Sequence, residues 1–261
     1  MGFLKQSSIL AVVASLFLAP ATPALCSQVE NYPIQAEAWQ LLQLANQARA
    51  AQGAGPLLWN PALATAARRH CLRMVAEGPI SHQYAGEPDV SKRAAQAGAR
   101  FSLIEENVAI APTPAEIHDA WMRSPGHRSN LLNPAVDRVG VAVVAGRHGL
   151  YAVADYERAV PAMTQAQVES TISGLLRAQG VTAFGNASDA RAYCAAGDRA
   201  VSRSEYGFLW QGADLTQLPQ ELSDRLASGG YRRAAVGSCA PQDADARDDS
   251  FTSYRVAVLL H

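Results

Sequence analysis

The chain changes its period over residues 138–156, which read RVGVAVVAGRHGLYAVADY. Residues 138–145 are rich in valine, residues 146–149 have the composition of a turn, and residues 150–156 are again strand-like. This pattern predicts a β-hairpin. Upstream of it, apolar residues recur at three- and four-residue steps, which is the period of a helix.

Four helices are predicted before the hairpin. They cover residues 37–51, residues 61–77 after Asn60, residues 89–97, and a segment from Pro114 to a break at residues 124–126. Asn60 is typical of an N-cap residue and Pro61 of the first helical position. Helices followed by an antiparallel hairpin indicate an α+β fold in which helices pack on a sheet.

A second segment follows a boundary placed within residues 158–163, around Pro161. Residues 164–179 are predicted to form a helix, and residues 231–239 and 251–260 to form strands joined by an acidic turn at 243–249. The expected division is a domain at 36–160 and a smaller C-terminal α+β domain at 164–261. The shared order, helix first and hairpin last, fits a degenerate repeat or two unrelated α+β segments.

The N-terminus has the composition of a signal peptide. Lys5 precedes an apolar run of 11 residues at 9–19, and residues 20–26 are small or helix-breaking. Cleavage is expected after Ala24 or Cys26, although a hydrophobic helix that stays with the fold would look similar. No later run reaches the length of a membrane span, so the mature chain is expected to have no transmembrane segment and to be secreted or periplasmic.

The charge balance limits the possible partners. The chain has 22 Lys and Arg residues against 23 Asp and Glu residues, and 49% of its residues are hydrophobic. That hydrophobic fraction is typical of a folded protein rather than a disordered one. Neither half has the basic excess that binding to a phosphate backbone requires, so no nucleic acid partner is expected.

Three cysteines lie beyond the predicted signal peptide. Cys194 and Cys239 both lie in the second domain, and we expect them to form a disulfide because export exposes the chain to an oxidising environment. Cys71 lies on an apolar helix face beside His70, so we expect a buried free thiol there and a hydrogen-bonded core histidine.

Three polar motifs carry the functional information: Ser81-His82, then EENVA at residues 105–109, then WMRSPGHRSNLL at residues 121–132. Together with Leu58-Trp59, they resemble the CAP superfamily of cysteine-rich secretory, antigen 5 and pathogenesis-related 1 proteins, in its short bacterial form. The resemblance covers about residues 36–157. It implies an α-β-α sandwich with a central antiparallel sheet.

The resemblance also implies a cleft built from His82, Glu106 and His127. The second glutamate of the family is missing, and Ser124 stands near its place, which leaves a triad. The residues expected to support this cleft are Ser124, Arg93, Asn107 and Arg128. No catalytic residue is assigned.

The chemistry of these residues permits more than one function. His82 and His127 are expected on loops, where imidazoles are able to bind zinc with Glu106 as third ligand or as an orienting group. Alternatively, the His127 ring bonds its own loop, and Glu106 holds backbone N–H groups or Arg93. Zinc is the one cofactor that we consider for this cleft.

Three hypotheses follow for the whole protein. The first is an exported module that binds a small molecule, a lipid or an extracellular protein in the His/Glu cleft. The second is a metal-dependent, peptidase-like hydrolase that uses the same cleft, and the third is a sterol or lipid carrier. The second domain, whose single histidine is His261, is expected to be an accessory module.

Overall fold

A computed structural model describes residues 35–197, 204–241 and 250–261. The predicted signal peptide at 1–26 and the whole acidic turn at 243–249 lie outside these ranges. Over the described part of the chain, none of the helices has the length and apolar character needed to cross a membrane.

The first half contains five helices and four strands among its described residues. They are α1 (Ala36–Ala51), β1 (Leu58–Trp59), α2 (Pro61–Glu77), α3 (Val90–Gln96), β2 (Phe101–Ala111), α4 (Pro114–Arg123), α5 (Pro125–Leu132), β3 (Arg138–Gly146) and β4 (Gly149–Ala159). The predicted hairpin is β3–β4, and the four predicted helices are present with ends within one or two residues. The sequence-based reading missed α5.

The strands form one sheet in the order β1-β3-β4-β2. β1 runs parallel to β3, and the other neighbours are antiparallel. One face packs against α1, α4 and α5 around the buried Trp121, and the other packs against α2 around Ala67, Cys71 and Met74. The predicted α+β sandwich is therefore confirmed.

Local signals explain where two of these helices begin. The side chain of Asn60 accepts hydrogen bonds from the backbone N–H groups of Ala62 and Leu63, so it caps α2 as predicted. Pro125 follows Ser124 and occupies the first turn of α5. The Ser-Pro-Gly sequence therefore ends α4 and also begins α5, because proline has the backbone angle of a first helical residue and no N–H to lose.

The second half contains a further set of elements. They are α6 (Gln165–Ala178), β5 (Ala183–Phe184), α7 (Ala187–Ala196), β6 (Tyr206–Gly212), α8 (Gln220–Gly229), β7 (Arg233–Cys239) and β8 (Tyr254–Leu260). The predicted helix at 164–179 is α6, which Thr164 caps, and the two predicted strands are β7 and β8.

The second sheet repeats the topology of the first. Its order is β5-β7-β8-β6, with β5 parallel to β7 and the other neighbours antiparallel. A glycine on the third strand meets a helix in both halves. A Cβ at Gly140 would lie 2.0 Å from the backbone nitrogen of Ala64 in α2, and one at Gly237 would lie 2.2 Å from that of Arg191 in α7. The shared strand order and the two glycine contacts therefore support the degenerate repeat.

The cysteines confirm both predictions. Cys194 and Cys239 form a disulfide with a Cα–Cα distance of 5.8 Å. Cys71 is a free, fully buried thiol, and burial raises its pKa to about 12. The two halves meet where Phe101 packs edge-to-face on Phe251 and the backbone N–H of Thr252 donates to the Phe101 carbonyl.

Candidate functional site

The three predicted cleft residues come from three separate elements. Glu106 lies in the middle of β2, His82 lies in the loop after α2, and His127 lies in the first turn of α5. The ring centroids of His82 and His127 are 6.0 Å apart, although 45 positions separate the residues in the chain. The loop prediction for His127 is wrong, because its backbone belongs to α5.

Glu106 is the centre of this arrangement. Its Oε1 accepts a hydrogen bond of 2.8 Å from Nδ1 of His82, and its Oε2 accepts one from the guanidinium of Arg93. Arg93 is buried and also donates to the backbone carbonyls of His82 and Pro88. The Glu106 side chain is only 4% exposed, so it orients the imidazole from below rather than facing solvent.

The two imidazoles have opposite electrostatic environments. The hydrogen bond to Glu106 raises the pKa of His82, and burial opposes this increase. Burial, followed by the neighbouring His82, lowers the pKa of His127. With Nδ1 bonded to Glu106, His82 has its Nε2 left for a ligand, and its side chain is 58% exposed.

α5 is attached to β2 by asparagines. Asn107, which is fully buried, donates through Nδ2 to the backbone carbonyl of His127 at 2.8 Å. Asn130 donates to the backbone carbonyl of Glu106 and to Oδ1 of Asn107. Asn107 therefore positions His127 relative to Glu106, as its place among the predicted supporting residues implied.

Two other predicted supporting residues contribute less. Arg128 lies on the exposed side of α5. Ser124 precedes α5 without a side-chain capping bond, and is half-buried. Arg93 is the predicted supporting residue with direct side-chain contact to Glu106.

Three residues that sequence reasoning did not place at the cleft lie beneath it, and one of them, His70, is the hydrogen-bonded core histidine that was predicted. His70 is fully buried in α2, and its Nε2 is 3.9 Å from Glu106 Oε2. Its Nδ1 is 2.8 Å from Oε1 of Glu87. Asp155, in β4, is the cross-strand neighbour of Glu106 and is fully buried. The polar residues on the otherwise apolar strand β4 were the available signal for Asp155.

Asp155 supplies the second carboxyl of this region, although it does not reach the cleft surface. Burial, and next the charge of Glu106, raise its pKa well above the ordinary value. Two carboxyl groups this close do not both ionise readily. Burial and the neighbouring Glu106 carboxyl group therefore both favour the protonated form of Asp155.

The fit to a metal ion is limited. Among the residues that the structure describes, no group of three or more His, Cys, Asp or Glu side chains is arranged to hold one. Glu106 has both oxygens engaged, so His82 and His127 are the two side chains left to bind a cation. A zinc ion bound there would take two imidazole nitrogens, with Glu106 orienting one ring.

The fold and the cleft define one class of domain, and a family comparison agrees with it. Residues 42–156 match the family described as the cysteine-rich secretory protein family, CAP. This match confirms the resemblance to the CAP superfamily that the motifs predicted.

Individual relatives cover the same half. The chain is 33% identical over 132 residues to the uncharacterized protein YkwD of Bacillus subtilis, a match that spans 48% of this chain and 50% of that protein. The chain thus covers about half the length of this relative.

Two solved structures are similar to a comparable share of the chain. An extracellular protein containing a SCP domain from Bacillus anthracis is 26% identical, with a TM-score of 0.43 over 54% of this chain and 45% of that chain. An outer surface protein from Borrelia burgdorferi is 17% identical, with a TM-score of 0.45 over 49% of this chain and 96% of that chain.

Proposed function

We propose that this protein is an exported binding module whose cleft takes its ligand through the imidazoles of His82 and His127. The observation that supports this best is the bond between Glu106 and His82, because a buried carboxylate fixes one nitrogen of a ring that lies 6.0 Å, between centroids, from the second imidazole. Such an oriented pair favours two kinds of ligand. One accepts a lone pair from an imidazole nitrogen, as a metal ion does, and the other accepts a hydrogen bond from an imidazole N–H group.

The same geometry favours binding over hydrolysis. A hydrolase of the kind considered would use Glu106 as general base, and a general base needs an oxygen within reach of the reacting water. Both oxygens of Glu106 already accept hydrogen bonds, from His82 and from Arg93. Ser81, the nearest hydroxyl in sequence to His82, donates to the backbone carbonyl of Gln83.

Calorimetric titration with Zn²⁺ tests the proposal, because zinc is a probe for paired imidazoles. We expect binding by the wild type and its loss in the His82→Ala, His127→Ala double variant, with His148→Ala, in an exposed turn, as the matched control. Equal heats for the wild type and the double variant would contradict the imidazole site.

The pH dependence of this titration has a defined sign. Protonation competes with zinc for the imidazole nitrogens, so binding weakens as pH falls. The raised pKa of His82 places the first loss of affinity above pH 6.5, the ordinary value for histidine, and the lowered pKa of His127 places its own loss below it. A single loss of zinc affinity centred at pH 6.5 would contradict the opposite environments of the two imidazoles.

Two further measurements separate the alternatives. A hydrolase should lose a defined activity on chelation and in the Glu106→Ala variant, whereas a binding module has no such activity to lose. A lipid carrier should co-purify with lipid, which mass spectrometry of the purified protein would detect, and its lipid content should not change in the double histidine variant.

A further inference from the structure

Each ring nitrogen of His70 has a hydrogen-bond partner, and these partners indicate where its protons lie. Its Nε2 is 2.9 Å from the backbone carbonyl of Ser81, and its Nδ1 is 2.8 Å from Oε1 of Glu87. A carbonyl oxygen only accepts, so Nε2 must have a proton. The contact between Nδ1 and the carboxyl group also contains one proton.

The position of that second proton follows from Glu87. Its Oε2 accepts a hydrogen bond from the backbone N–H of Tyr84, and the side chain is 9% exposed. A carboxylate accepts both bonds, and the Glu106 charge lies 3.9 Å from the other side of the His70 ring. Both neighbours favour a proton on Nδ1, as in a buried ion pair between His70 and Glu87.

This ion pair spans the loop that carries His82. His70 bonds the backbone of Ser81, directly before His82, and Glu87 bonds the loop further on through the N–H of Tyr84. The side chain of Gln83 donates to the backbone carbonyl of Glu87, which closes the loop on itself. The loop is therefore held by hydrogen bonds with two side chains in the protein interior.

We propose that His70 and Glu87 are positioning residues for the cleft, and that they hold the 81–87 loop so that the His82 ring meets Glu106. Their effect on ligand affinity rests on the function proposed above, whereas their effect on the His82 ring does not. With a proton on both His70 nitrogens, charges would alternate along the chain of contacts from Glu87 to His70, Glu106 and Arg93. Removing one member leaves a buried charge without its partner.

The first test needs no substitution. Nitrogen-15 NMR of the wild type at neutral pH reports the protonation of each ring nitrogen, and we expect both nitrogens of His70 to have protons. A neutral His70 with an unprotonated Nδ1 would overturn the ion pair.

The second test measures the His82 ring in variants by NMR titration. In His70→Gln, an amide replaces the imidazolium, and we expect the His82 pKa to fall because its ring no longer meets Glu106 reliably. Glu87→Gln and Glu87→Ala should act in the same direction, with the larger effect in Glu87→Ala. The matched controls are His148→Gln in an exposed turn and Glu77→Gln on the exposed side of α2, which should leave the titration unchanged.

Zinc titration of the same variants gives the functional readout. Residues that orient a ligating imidazole typically contribute about 10–100-fold to metal affinity, so we expect a loss of at least about tenfold in His70→Gln and Glu87→Ala. Near-UV circular dichroism identifies variants that remain folded, and Glu87→Gln is the milder variant if His70→Gln does not fold. Folded variants in which His82 titrates as in the wild type would overturn the proposal. Failure of the wild type to bind zinc would instead contradict the proposed function and leave the NMR result standing.

Discussion

The two halves of the molecule have the same strand order and different chemistry. If Gly140 and Gly237 are taken as equivalent, the strand registers place Leu209 where the first half has Glu106, and Ala257 where it has Asp155. The second half also has a single helix, α8, where the first half has α4 and α5. Among its described residues, the second half therefore lacks counterparts of Glu106 and of the helix that carries His127.

This difference separates what specifies the fold from what specifies the site. Both sheets keep an apolar face under helices and a glycine where a helix crosses the third strand. Over the ranges that the structure describes, the polar network around Glu106 has no counterpart in the second half, so this topology does not depend on it. The second sheet instead has the disulfide, which joins α7 to β7.

The largest expected effect is on the shared glycines. Gly140→Ala and Gly237→Ala would each place a Cβ about 2 Å from helix backbone, and backbone atoms cannot move aside as a flexible side chain does. We expect each to lower the free energy of unfolding by about 3–5 kcal/mol. Chemical denaturation measures this loss. Gly174→Ala, with open space around it in α6, is the control and should be neutral or slightly stabilising. Harmless substitution at either shared glycine would break the equivalence of the two halves.

The next effect concerns the disulfide, which distinguishes the second half from the first. Replacing Cys194 and Cys239 by serine opens a loop of 45 positions, and we expect a loss of about 3–4 kcal/mol from the increased entropy of the unfolded chain. Differential scanning calorimetry should show the loss in the second half, while the NMR signals of His82 and His127 stay unchanged. Cys71→Ser is not a matched control for the loss of the disulfide, because it places a polar hydroxyl in a fully buried position. A change in the cleft histidine signals would contradict the independence of the halves.

The smallest effect concerns Glu157. In the second half, Leu259 occupies the equivalent position in the strand register. Burial raises the pKa of Glu157 to about 7, and Asn60 donates to one of its oxygens. The folded state therefore binds its proton more tightly than the unfolded state does, and stability decreases as pH rises from about 4.5 to about 7.

Glu157→Gln removes this pH dependence and keeps an oxygen for Asn60. We expect it to increase the free energy of unfolding at pH 8 by roughly 1–3 kcal/mol, with the gain disappearing near pH 4.5. Urea denaturation across this range is the measurement, and the exposed Glu77→Gln is the control. A gain that persists unchanged at pH 4.5 would show that ionisation of Glu157 is not its cause.

Much of the fold could be predicted from the sequence because its signals are local. Asn60-Pro61 begins α2, the valine-rich stretch forms β3, and Thr164 caps α6. α5 was missed because Ser124-Pro125-Gly126 fits a break as well as a helix start, and local sequence does not distinguish them. The disulfide was predictable because Cys194 and Cys239 were the two cysteines within one predicted domain.

The sequence by itself determined the α+β class and the family resemblance, because periodicity and motif spacing are properties of the chain. The resemblance in turn predicted His82, Glu106 and His127 as members of one cleft. The tertiary structure decided how these residues meet. Pairing of β2 with β4 placed Asp155 beside Glu106, and packing of α2 under the His82 loop placed His70 against Glu87 and Ser81. These contacts join residues distant in the chain, and their energies depend on burial and on separations of a few ångströms, which residue order does not specify.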